Sequence, residues 1–149
     1  MPTYVEGVLQ PPQRTVEPRL LQTSITFDGT AGLGAIGAVP IFTVTGEVLV
    51  VSLSPICTTG LAGATATLSL GVTAGVTDFI AATLATDIDA GEFWQADPSE
   101  PNSDALEAAL ENILVTDNIV GDVLVAAISA GVIRFDVIWR PLSADGNLV

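Results

Sequence analysis

The sequence predicts an all-β protein, an antiparallel β-sandwich or jelly roll, and three observations carry that expectation. Short segments with two-residue alternation recur along the chain, separated by turn signals at roughly 8–12-residue intervals, the spacing of sandwiches, jelly rolls and small barrels. Helical spacing is almost absent. The clearest pattern is the late segment Gly131–Leu142, in which Ile133, Phe135, Val137 and Trp139 alternate with positions that include Arg134, Asp136 and Arg140. Such a period puts an apolar face and a charged face on one strand. We expect it to be a central strand packed on a second sheet, ending where Pro141 removes an amide donor.

Taken in order, residues 1–22 read as an extended N-terminal arm. Pro2, Pro11, Pro12 and Pro18 disfavour helix and central strand alike, while Tyr4, Val5, Val8, Leu9, Leu20 and Leu21 give it apolar surface to pack on a neighbouring subunit. Residues 23–149 form one domain. Thr23–Phe27 is its first strand and Asp28–Gly29 a turn. After a Gly/Ala-rich loop, Ile41–Thr45 and the longer Glu47–Ser54 read as strands, with Pro55 marking an edge or the end of pairing. Ala64, Ala66, Leu68 and Leu70 alternate with Thr65, Thr67 and Ser69. Asp78–Thr83 and the aromatic Glu92–Ala96 follow as strands, and Asp97–Asp104 as an exposed loop. Ala105–Asn112 is the one helical candidate, with Asp104 and Glu107 placed as a capping pair. Ile113–Thr116 and Ile119–Ile128 return to β-type sequence.

Composition narrows the function. The chain has 149 residues, a net charge of −13, 49% apolar residues and only 14% charged ones, against about 25% charged in an ordinary soluble domain. A surface so poor in charge suits a protein that buries much of itself in an assembly. Residues 20–133 hold 13 acidic residues and no basic one, and all four arginines lie near the ends. Without clustered Lys or Arg, neither nucleic acid nor an anionic membrane is an expected partner. No apolar run is long enough to span a bilayer, and the first residues lack the pattern of a signal peptide.

Chemistry is not legible. There is no histidine, which excludes a Ser-His-Asp triad, and the single Cys57 reads as a small buried hydrophobe. Metal sites built on His or several Cys are excluded too. Gly32, Gly34 and Gly37 have dinucleotide-motif spacing, but Pro40 and a β-type run follow where a helix should start. A tight loop at a subunit interface is the expected reading. Asp87–Glu92 resembles a calcium loop, yet Pro98 stands where the bidentate Glu is needed, so a polar turn is expected. No cofactor is expected.

The segments FDGTAGLGAIGAVPIFTVTGEVLV, FIAATLATDIDAGEFW and RFDVIWRPLSADGNLV, between Phe27 and Val149, resemble a group of small β-rich virion proteins of tailed bacteriophages. The resemblance implies a non-enzymatic head decoration (cement) protein, often a trimer, binding the major capsid protein on the capsid exterior after assembly in the bacterial host cytoplasm. It brings no catalytic residues. We expect the partner-binding residues to be Arg14, Arg19, Leu20, Leu21, Arg134 and Arg140, with arm arginines meeting carboxylates of the shell or of a neighbour. Two rival readings are a head-fibre or tail-associated module that binds host-surface glycan through Trp94 and the Asp97–Asp104 loop, and an enzyme using paired carboxylates.

Overall fold

A computed structural model of the chain describes residues 17–96 and 103–149. Its strands are β1 (Arg19–Thr26), β2 (Gly37–Phe42), β3 (Val44–Thr45), β4 (Val48–Ala62), β5 (Thr67–Val72), β6 (Gly75–Leu84), β7 (Glu92–Phe93), β8 (Glu111–Val115), β9 (Ile119–Leu124), β10 (Ala130–Pro141) and β11 (Asn147–Leu148). One antiparallel sheet runs β1–β10–β4, with β8 and β7 end to end along the far side of β4. The other runs β2–β9–β5–β6, and β3 pairs with β11 in a short ribbon. Without the three two-residue strands, chain order is first–eighth–third–sixth in one sheet and second–seventh–fourth–fifth in the other. That is the strand order of a jelly roll.

The expected central strand is β10, between β1 and β4. Ile133, Phe135, Val137 and Trp139 are all buried and join Leu68 and Leu70 of β5, Val39 of β2 and Val123 of β9 in one core. Burying each such side chain contributes about 1.5–3 kcal/mol, so this strand is the main apolar tie between the sheets. Trp94 meets Phe135 edge-on, with centroids 6.4 Å apart and planes at 78°.

Three expectations are corrected. The first strand begins at Arg19, not Thr23, so Leu20 and Leu21 pair with Ile138 and Val137; their alternation continues that of Ile25, and only Pro18 stops it. Residues 1–16 of the expected arm lie outside the described residues. Pro55 does not end pairing; it sits in the middle of β4. Pro55 lacks an amide hydrogen, and its backbone faces the point where the neighbour changes from β8 to β7, with its carbonyl accepting Trp94 N–H at 2.9 Å. The expected helix is a single 3₁₀ turn, Ala108–Leu110, leading into β8. Gln95 takes its capping groups: its amide donates to Asp104 Oδ2 at 3.2 Å and to Ala105 O at 2.9 Å, and accepts Glu107 N–H at 3.0 Å. A helix of at most about three turns is too short to compete without its caps.

The glycine-rich loop packs within the chain. Asp28 Oδ1 accepts the N–H and hydroxyl of Thr30 at 2.9 and 2.6 Å, and Gly34 O accepts Ile128 N–H at 2.8 Å. Gly34 has φ +119, and a Cβ there would run into the carbonyl oxygen of Ile128. After β9, Val125 has φ 74 and Ala126 N–H donates to Leu124 O at 2.9 Å, a γ-turn of the rarer, strained hand. Gly37→Ala, at φ +122 in open space, should cost about 1–3 kcal/mol of backbone strain alone. Gly34→Ala should cost at least ~1 kcal/mol more in urea unfolding; equal losses would show that the Ile128 contact is not limiting.

Candidate functional site

Five of the six residues expected to meet a partner are described, and all five lie on the adjacent strands β1 and β10. Arg14 lies outside the described residues. The outward face of this sheet is set by the register. Leu20 stands beside Ile138 and Ser52, Gln22 beside Asp136 and Ser54, Ser24 beside Arg134 and Ile56, and Arg140 beside Leu49 and Leu114.

The arginines are not equivalent. Arg134 makes a two-pronged bond to Asp136, Nε to Oδ1 at 2.9 Å and Nη2 to Oδ2 at 3.0 Å. These two side chains are two residues apart on one face of a strand, so alternation alone brings them together. Hydrogen bonding to the carboxylate, and then its charge, hold the guanidinium above its usual pKa. With Arg134 40% exposed, a pair like this contributes about 0–1 kcal/mol, and its charge is already matched within the chain. Arg19 lies over the Trp139 ring, 5.2 Å from the centroid, a cation–π contact at the rim of the core. Arg140 is half-buried and has no carboxylate partner among the described residues.

Around Arg140 lies apolar surface. Leu20 is 63% exposed, Leu114 61% and Ile138 38%, and the exposed Leu142 continues the outward parity of Ile138 and Arg140. Ile138 and Leu114 were missed as candidates. Ile138 had a legible signal, an apolar residue on the parity otherwise held by Arg134, Asp136 and Arg140. Leu114 had none, because its outward direction follows from pairing with Leu49.

Other candidates resolve structurally. Trp94 is 2% exposed, so the ring on which glycan recognition was to rest is in the core; residues 97–102 of the adjoining loop lie outside the described residues. Among the described residues, no three His, Cys, Asp or Glu side chains gather as a metal site. A cleft of about 320 Å³ opens between β6 and β8, with Asp78, Phe79, Ile113 and Asp117 in its wall. Asp117 is engaged by the backbone N–H groups of Ala74 and Asn118, at 3.0 and 2.8 Å.

Cys57 is buried, and that burial pushes its thiol up to about 11. An unfolded thiol ionises near 9.0, so the native state holds the proton more tightly. This contribution to stability is whole below pH 9 and is lost as pH rises toward 11. At pH 8, iodoacetamide should leave Cys57 unmodified in native protein and label it in urea, as read by intact mass. Equal labelling of both would mean an open site. No family model, curated protein or solved structure compared with this chain matches it.

Proposed function

We propose that this chain is a non-enzymatic structural protein of a phage virion, a capsid decoration protein that self-associates and stabilises the head shell from outside. One observation carries the reading: the exposed Leu20, Ile138 and Leu114 share one outward sheet face with Arg140, which has no carboxylate partner among the described residues. Such a face fits a protein surface with apolar groups and a carboxylate, here the major capsid protein. The net charge of −13 suits the outside of a shell, away from packaged DNA. The jelly roll is used by capsid and lectin domains alike and does not choose between them. The burial of Trp94 favours the shell over a glycan.

Purified protein should co-sediment with heads of its own virion stripped of it. Ile138→Asp and Arg140→Glu should each weaken binding by about tenfold or more. Removing residues 1–18, which leaves β1 whole, should abolish binding with the β circular dichroism retained. Unchanged binding by all three variants would overturn the proposal.

A further inference from the structure

The two sheets have four edges, and three of them carry features that oppose pairing with another strand. β2 contains Pro40 and a register shift beside it. β6 is shifted twice against β5 and carries Asp78. β8 is five residues long, begins with Glu111 and has Asn112 at φ 55, and β7 beyond it is two residues with Glu92. Bulges, prolines, charges and shortness are how edges are kept from pairing.

β1 has no bulge, proline or acid, in a chain with 17 acidic residues, and its one charged residue, Arg19, stands at its first position over the Trp139 ring. It runs eight residues, Arg19–Thr26, in unbroken register with β10. Phe27 N–H donates to Gly131 O at 2.9 Å, and this sets the ladder: odd-numbered residues bond to β10 and even-numbered ones face away. Leu20, Gln22, Ser24 and Thr26 therefore direct N–H and C=O to the free edge, where no strand pairs among the described residues.

We propose that this edge pairs antiparallel with β1 of a second copy about a two-fold axis at Thr23, joining two sheets into one. The occupant follows from self-complementarity. In that register Gln22 opposes Ser24 of the other copy and Leu20 opposes Thr26, so every outward donor and acceptor is used. On the core side Leu21, half-buried in one copy, opposes Ile25. Between residues 20 and 26 no charge meets a like charge. A two-fold interface of this kind closes on itself at two copies, unlike the trimers that the resemblance implies. It concerns the chain in solution and holds whether or not the protein binds a shell.

Light scattering of the full chain should give twice 15.3 kDa. Gln22→Pro and Ser24→Pro remove outward amides and no intrachain ladder bond. Each should weaken self-association at least ~100-fold and leave the β circular dichroism intact. If both fail to fold, Thr23→Cys decides, since it faces its own copy in this register at a Cα separation of about 4.5 Å. Mild oxidation should link Thr23→Cys into a covalent dimer and leave Thr26→Cys monomeric. A monomeric full chain, a trimer unaffected by either proline, or a chain that dimerises only after removal of residues 1–16 would each overturn the proposal.

Discussion

The structure depends on the two-sided demand placed on β10. Its inward residues must meet the opposite sheet, and its backbone must pair with β1 on one side and β4 on the other. Alternation satisfies both: Ile133, Phe135, Val137 and Trp139 point inward and leave the even positions to solvent. A shift by one residue would bury Arg134 and Asp136 and expose Phe135 and Trp139, so the register is held by burial. Everything on the outer face inherits its position from this register, from the Arg134–Asp136 bond to the neighbours of Arg140.

The fold was legible where burial and alternation agree. Leu68 and Leu70 in β5, and the β10 quartet, were readable because each apolar residue faces the same layer. Legibility failed where a distant partner decides the local state. Asp104 and Glu107 look like helix caps, but Gln95 takes the Asp104 carboxylate and the Glu107 N–H, Ala96 N–H donates to the Glu107 carboxylate, and nothing in residues 104–112 announces it. Pro55 reads as a terminator because its missing donor is costly in a ladder; it is tolerated because β8 and β7 meet opposite it. The proline marks a seam rather than an end.

The candidate face was half legible. Charge segregation pointed to Arg134 and Arg140, and β pairing then set Arg134 beside Ser24 and Arg140 beside Leu49, next to the Leu20–Ile138 pair. It also separated them in kind, one arginine matched by Asp136 and the other without a carboxylate partner among the described residues. Trp94 looked available from its place beside a polar loop, yet it packs on Phe135, which only the three-dimensional layering reveals. Gly34 serves the close approach of two loops of the same chain, while Gly32 and Gly37 supply backbone with φ of +78 and +122, so all three have a use without a nucleotide.

The pairing of β1 with β10 also sets a timetable. β1 ends at Thr26 and its neighbour begins at Ala130, so the first strand waits through most of synthesis for the strand that joins it to β4. Until Pro141 has left the ribosome, the apolar faces of β1 and β4 lack their shared covering. Contacts this far apart in sequence fold slowly and leave sticky intermediates. A chain cut short before Gly131 would lose the strand that makes one sheet of the others, and the aggregate rather than a smaller domain is what would remain.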